Sequence, residues 1–147
     1  MTEYLQWSDF GRKFWERKMT NKKWDVSDKS KTPDWILDIF RDYFDPCPLT
    51  DKPKFDGLTI KWKKYNYVNP PYSDDKTKWI QKAIDEMENG NVTVMLLPHV
   101  PDAIWYFDLV VPNAKILGLR GRLQLDNGKH PRYSTMLAIF YPKKNPR

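Results

Sequence analysis

Residues 65–97 read YNYVNPPYSDDKTKWIQKAIDEMENGNVTVMLL, and this stretch decides the fold class. The short aromatic-rich run at residues 65–68 predicts a strand. An apolar stripe with helical spacing follows; Ser73 can cap that helix, and Gly90 can end it. The stripe consists of Trp79, Ile80, Ala83, Ile84 and Met87. Residues 92–97 are almost entirely apolar, which is typical of a strand buried on both faces. Strand, helix and buried strand in this order predict an α/β fold with a mixed, mostly parallel sheet flanked by helices.

Further elements are predicted on both sides of this stretch. Residues 1–31 are expected to form a helical arm and a loop, and residues 32–147 a single domain. Thr32-Pro33-Asp34 is a strong helix start, because Thr32 can cap and Pro33 suits the first helical turn. This helix is predicted to bury Ile36, Leu37 and Phe40 and to stop before Pro46. The remaining predictions are a helix at residues 102–111 and strands at residues 115–119, 122–125 and 135–141.

The composition excludes several classes of protein. The chain has 147 residues, of which 40% are hydrophobic and 30% are charged, so it can build a core. It contains no apolar run long enough to span a membrane and no apolar leader, so we expect a cytoplasmic protein. A single cysteine, Cys47, excludes an internal disulfide, and with only two histidines no metal site is expected.

The net charge of +6 is unevenly distributed along the chain. Residues 115–147 hold eight Lys or Arg against one Asp, whereas residues 32–114 carry an excess of acidic side chains. A basic segment of this kind is typical of a surface that binds a polyanion, although an ordinary solubilising surface has the same composition.

The motif with the clearest chemistry is Asn69-Pro70-Pro71-Tyr72, placed at the carboxyl end of a predicted strand. The two prolines remove two N–H donors, so the backbone here offers only carbonyl acceptors, and the amide oxygen of Asn69 adds another. An amine with two N–H groups can be held by Asn69 and the Pro70 carbonyl while Tyr72 lies flat on the ring that carries it. These bonds strengthen as the nitrogen gains positive charge. The alternative is a rigid turn without catalytic function.

The chain resembles the phage-type DNA N6-adenine methyltransferase family from about Trp24 to Tyr141. The tetrad alone is shared with glutamine and guanine methyltransferases, and the ordered set of motifs is more specific. The motifs are Thr32-Pro33, Asp45-Pro46-Cys47-Pro48, Asp56-Gly57-Leu58 followed by Trp62, Asn69-Pro70-Pro71-Tyr72, Leu96-Leu97-Pro98, Asp102 with Trp105, and Gly121-Arg122-Leu123.

This resemblance implies a trimmed Rossmann-like fold that uses S-adenosylmethionine as the cofactor. It implies methyl transfer to the N6 amine of an adenine flipped out of double-stranded DNA, with residues 69–72 as catalytic residues. It also implies a single methyltransferase domain over residues 32–147, without a separate target-recognition domain. If the source is viral, the expected location is the host cytoplasm.

The resemblance also implies a set of cofactor contacts. The implied cofactor-binding residues are Thr32, Pro33, Asp45, Pro46, Cys47 and Asp56. Asp45 would meet the ammonium group, the helix start at Thr32 the carboxylate, and Asp56 the ribose hydroxyls, with Pro46 and Cys47 as a wall. Each has a structural alternative: a turn-forming Asp45, plain helix capping by Thr32, and a simple turn at Asp56-Gly57.

DNA is expected to be held by basic residues that flank predicted turns: Arg120, Arg122, Lys129 and Arg132. The chain has other residues than the family pattern at two places, Val100-Pro101 and Pro131-Arg132-Tyr133, and both differences concern contacts with the substrate. The chain also lacks a Gly-x-Gly loop after its first strand, and few residues separate its main motifs. Alternative functions are methylation of RNA or of a protein glutamine, and DNA binding without catalysis.

Overall fold

A computed structural model describes residues 34–48, 50, 52–71, 76–119 and 134–143. The described residues fall into two compact units, one with residues 34–41 and the other with residues from Asp42 onward. The predicted arm at residues 1–31 and the predicted strand at residues 122–125 lie outside the described part.

The first unit contains helix α1, Asp34–Ile39. Ile36 and Phe40 are buried, as predicted, and Trp35 is buried beside them. Leu37 is 38% exposed, so the prediction that it is buried was wrong. The physical reason is the helical period. Positions 36 and 40 lie on one face of the helix, and the buried face also includes position 35 rather than position 37.

The second unit is built on a four-stranded sheet with the order β1-β2-β4-β3. The strands are β1, Tyr65–Val68, β2, Val92–Pro98, β3, Lys115–Gly118, and β4, Thr135–Phe140. Strands β1 and β2 are parallel, with Val68 opposite Met95. Strand β4 lies antiparallel between β2 and β3.

The sheet is therefore partly parallel, and the prediction of a mostly parallel sheet was wrong. Strand β4 runs antiparallel to both β2 and β3, and antiparallel pairing is slightly more stable per residue than parallel pairing. One further parallel contact is an isolated bridge between Phe44 and Asn66, which extends the parallel side of the sheet beyond β1.

Helix α2, Lys76–Glu88, covers one face of this sheet. The predicted stripe is confirmed, since all five of its members are buried. They pack in one cluster with side chains from three strands: Val68, Met95, Leu97, Met136, Ala138 and Phe140. The helix ends where predicted, at Gly90, whose φ of +90° suits a residue without Cβ. Strand β2 is buried on both faces, as predicted, because Val94 and Leu96 on its other side are also inaccessible.

The predicted helix at residues 102–111 is only partly regular. It contains a π-helical turn, Tyr106–Val110, followed by the short helix α3, Val111–Asn113. Val110 is fully buried, whereas Ile104 and Phe107 are exposed. Within the described part of the chain, no helix has the length and apolar character needed to cross a membrane.

Candidate active site

Three neighbouring parallel segments end at the same edge of the sheet. Phe44 pairs with β1, because its N–H donates to Tyr65 O at 3.0 Å and its carbonyl accepts from Tyr67 N at 2.9 Å. Strand β1 in turn pairs with β2. The residues that follow these segments are Asp45, Asn69 and His99, so the fold brings the two predicted motifs to one edge. This is the edge at which open α/β sheets bind ligands.

The segment Asn69-Pro70-Pro71 leaves the sheet directly after the buried Val68. Pro70 is buried, and Asn69 and Pro71 are half-buried. Both peptide bonds that precede these prolines are trans, because the described chain contains no cis peptide bond. The strand end therefore presents a carboxamide and proline carbonyls in a rigid segment. Tyr72 lies outside the described residues.

Asp45 directly follows the bridging residue Phe44 and forms a tight turn. Its Oδ1 accepts a hydrogen bond from Cys47 N at 2.9 Å. Burial raises the pKa of the Asp45 carboxyl above its usual value, and the hydrogen bond from Cys47 offsets part of that rise. Its second oxygen, Oδ2, accepts no hydrogen bond from the described residues. A half-buried carboxylate suits a cationic group.

The predicted turn at Asp56-Gly57 packs against the Asp45 segment. Gly57 is buried, and a Cβ added to it would overlap the carbonyl oxygen of Pro46. On its other side the same Cβ would lie 3.0 Å from the ring of Trp79. Only glycine fits this close approach, so the turn and residues 45–47 form one packed structure.

Asp56 itself is exposed and takes part in this turn. Its Oδ1 accepts from Leu58 N at 3.0 Å, and its carbonyl accepts from the backbone and the hydroxyl of Thr59. Asp56 and Gly57 therefore form a simple turn, which was the structural alternative for Asp56. This turn uses Oδ1 and not Oδ2, and a contact of Asp56 with ribose hydroxyls stays a prediction.

Two residues without a predicted role hold this region together. Trp62 is buried, and its Nε1 donates to Gly57 O at 2.7 Å. Its backbone N–H donates to Oε1 of Glu86 at 3.1 Å. Glu86 is 3% exposed on α2, inside the apolar stripe. An acidic residue within such a stripe is the signal that could have identified it, because buried carboxylates require partners.

Of the remaining candidate residues, the structure describes Cys47 and His99 and leaves the others outside the described part of the chain. Cys47 is half-buried and packs against the main core cluster, and its role as a wall beside the cofactor stays a prediction. His99 at the end of β2 lies 3.3 Å from the hydroxyl of Tyr106. Thr32 and Pro33, and the predicted DNA-binding residues Arg120, Arg122, Lys129 and Arg132, lie outside the described residues. In the parts of the chain that are described, no three His, Cys, Asp or Glu residues are grouped to hold a metal ion.

Comparison with known proteins identifies the family. Residues 19–136 match the sequence model of the family described as DNA N-6-adenine-methyltransferase (Dam). A DNA N-6-adenine-methyltransferase from Haemophilus phage HP1 (strain HP1c1) is 31% identical in an alignment 114 residues long, and the match covers 66% of this chain and 65% of the phage protein. The chain thus spans just under two thirds of the length of that relative. No solved structure matches the chain. Because the family match extends over most of its residues, the chain belongs to the DNA N-6-adenine-methyltransferase (Dam) family.

Proposed function

We propose that this protein transfers a methyl group from S-adenosylmethionine to the N6 amine of adenine in DNA. The observation that carries the proposal is the shared sheet edge, where Asn69-Pro70-Pro71 follows β1 and Asp45 follows the neighbouring parallel segment. This supports an acceptor site for an amine and a carboxylate for a cationic cofactor at one edge of the sheet.

We further propose that the fold is a trimmed Rossmann-like methyltransferase fold. Its support is the run of parallel segments at Phe44, β1 and β2, with α2 covering the crossover between the two strands. The prediction that residues 32–147 form one catalytic domain belongs to the same proposal.

The residues described at this edge fit S-adenosylmethionine. Asp45 would accept from its ammonium group, and burial would strengthen that charge-assisted bond. Pro46 and Cys47 would form the adjacent wall and Asp56 would accept from the ribose hydroxyls. Thr32 and Pro33, which lie outside the described residues, are proposed from the family resemblance alone to hold the carboxylate. When bound, the cofactor supplies a methyl group on a sulfonium, which a neutral amine can attack.

Asn69 and Pro70 would act on the adenine amine. The Asn69 amide oxygen and the Pro70 carbonyl each accept one N–H bond, which orients the nitrogen lone pair toward the methyl group. As the amine takes up the methyl group, positive charge would grow on its nitrogen, and both hydrogen bonds would strengthen. The extra proton then leaves to solvent, so no general base is required. Tyr72 would stack on the flipped base.

DNA is the proposed acceptor because the family and its phage relative are both described by DNA adenine methylation. Arg120, Arg122, Lys129 and Arg132 would bind phosphates around the flipped base, in a segment whose charge is strongly positive. The protein would then act on DNA in the cytoplasm, in the host cell if the protein is viral.

Product analysis tests the proposal directly. The protein is incubated with S-adenosylmethionine carrying a deuterated methyl group and with double-stranded DNA, RNA or a pool of proteins. After digestion, mass spectrometry should find the label in N6-methyldeoxyadenosine, and Asn69→Ala should remove it. Label in methylated ribonucleosides or in glutamine would replace the DNA assignment. Binding of DNA without any methyl transfer would instead indicate a non-catalytic protein.

A further inference from the structure

We propose that Trp62 is a positioning residue for the cofactor pocket, acting through Gly57 and Pro46 on Asp45, and that Glu86 fixes Trp62 in place. This inference rests on the proposed use of S-adenosylmethionine. Trp62 does not touch the reacting groups. Its effect is to hold the segment that carries the Asp45 carboxylate.

The first step is the indole hydrogen bond. Trp62 is 5% exposed, and its Nε1 donates to the carbonyl of the buried Gly57 at 2.7 Å. A buried N–H and a buried carbonyl satisfy each other here, and loss of either leaves the other without a partner. The ring also stacks on Trp79, with 6.3 Å between the ring centroids.

The second step is the close contact between Gly57 and Pro46. Because the Gly57 Cα sits directly against the Pro46 carbonyl, any shift of the Gly57 backbone moves the peptide group between Pro46 and Cys47. The N–H of this peptide group donates to Asp45 Oδ1. Close-packed groups transmit such displacements since no free space absorbs them. The hydrogen bond at Trp62 therefore controls where the Asp45 carboxylate lies.

The third step is the anchor at Glu86. Its two oxygens accept from Trp62 N at 3.1 Å, from Lys82 at 2.9 Å and from the Asn91 amide at 2.7 Å. Burial opposes ionisation of Glu86, but these bonds prevail and hold its pKa below the usual value. The Lys82 ammonium also lies 5.8 Å from the centre of the Trp62 ring. Helix α2 thus fixes both the backbone and the ring of Trp62.

A matched pair of tryptophan substitutions tests this inference. Trp62→Phe keeps an aromatic ring but removes the bond to Gly57. Trp79→Phe removes the stacked indole on the other side of Gly57, and its Nε1 has no hydrogen-bond partner among the described residues. Binding of S-adenosylmethionine is measured by calorimetry on wild type and both variants, and thermal unfolding is recorded for each.

We expect Trp62→Phe to weaken S-adenosylmethionine binding roughly tenfold, and Trp79→Phe, which removes packing beside Gly57 but no hydrogen bond, to weaken it clearly less. In turnover assays Trp62→Phe should raise KM for the cofactor while kcat and KM for DNA stay near wild type. If Trp62→Phe does not fold, Glu86→Gln provides the second variant, with a smaller rise in the same KM. That variant keeps the size of the side chain and weakens the anchor.

The outcomes separate this inference from the proposed function. A wild-type protein that binds no S-adenosylmethionine overturns both. A wild-type protein that binds it, with equal affinity in Trp62→Phe and in Trp79→Phe, overturns the positioning role alone. A parallel fall in kcat, cofactor affinity and DNA affinity in Trp62→Phe would show general structural damage and would also overturn it.

Discussion

The two prolines in residues 69–71 have no backbone N–H, so their peptide groups offer only carbonyl acceptors. An exocyclic amine can donate to these carbonyls and to the amide oxygen of Asn69. The half-buried position of Asn69 at the end of β1 limits competition from water for those acceptors. Substitutions that change the charge or the hydrogen-bond acceptors at this edge are therefore expected to affect binding and turnover.

Asn69→Ala should remove most turnover while cofactor affinity is retained. The lost hydrogen bond matters mainly when the amine becomes cationic, so kcat falls by roughly a hundredfold or more. Single-turnover kinetics and calorimetry with S-adenosylmethionine measure the two quantities separately. If cofactor affinity fell as far as turnover, the segment would be a structural turn rather than a catalytic one.

Asp45→Asn should weaken S-adenosylmethionine binding by about 1.5–3 kcal/mol, the usual contribution of a charge-assisted hydrogen bond. Asparagine keeps an oxygen that can accept from Cys47 N, so the turn at Asp45 should survive. Calorimetry near neutral pH checks the affinity. An unchanged affinity, with an intact circular dichroism spectrum, would contradict the role of Asp45.

The same substitution should change how stability depends on pH. The pKa of Asp45 is higher in the folded protein than the ordinary 3.8, so the folded state binds the proton more tightly. The stability linked to this group is full below pH 3.8 and is lost as pH rises through the raised pKa. Urea unfolding at about pH 4 and at neutral pH should show that loss in wild type only. Parallel curves for both proteins would contradict it.

Among the structural elements, the turn at residues 56–58 depends on the absence of a side chain at Gly57. Gly57→Ala should lower the free energy of unfolding by about 1–3 kcal/mol, because the new Cβ overlaps a backbone carbonyl that cannot rotate away. It should also weaken S-adenosylmethionine binding. Gly118→Ala on β3 is the matched control, since a Cβ there has no atom within 4 Å and should leave both quantities unchanged. Equal effects of the two substitutions would exclude the close packing at Gly57.

Helices and strands with a strong local pattern were predictable from the sequence. The pairing of β4 with β2 and β3 was not. Strands β1 and β2 and helix α2 follow from an aromatic run, an apolar run and a helical stripe, each complete within a few residues. The position of β4 between β2 and β3 depends on contacts between distant residues, which no local period encodes. The π-helical turn at residues 106–110 likewise has no signature in the spacing of apolar residues.

The candidate site shows the same division. The sequence predicts the places of Asn69 and Asp45, because Asn69 follows strand β1, Asp45 follows the bridging residue Phe44 and each stands beside proline, whereas their roles stay predictions. The contact of Gly57 with Pro46, and the hydrogen bonds of Trp62 and Glu86, join residues from three different segments. Such contacts become visible only when the chain is folded.

For the molecule as a whole, the excess of positive charge in residues 115–147 predicts a DNA-binding surface. Neutralising Arg122 and Arg132 together should weaken binding to all DNA sequences alike and reduce the salt slope by about one to two units. Phosphate contacts carry no sequence information, so the target preference should not change. Affinity across a salt series for wild type and double mutant measures this. Identical slopes would leave the basic segment without a role in DNA binding.

The inserted position of β4 also constrains the order in which the protein can be assembled on the ribosome. Strand β3 is synthesised before β4, yet β4 is the only strand in the described part of the chain that pairs with it. While β4 is missing, this pairing cannot form and the edge of the apolar strand β2 that β4 covers is open, which are conditions that favour association between nascent chains. Strand β4 therefore completes two of the described pairings at once.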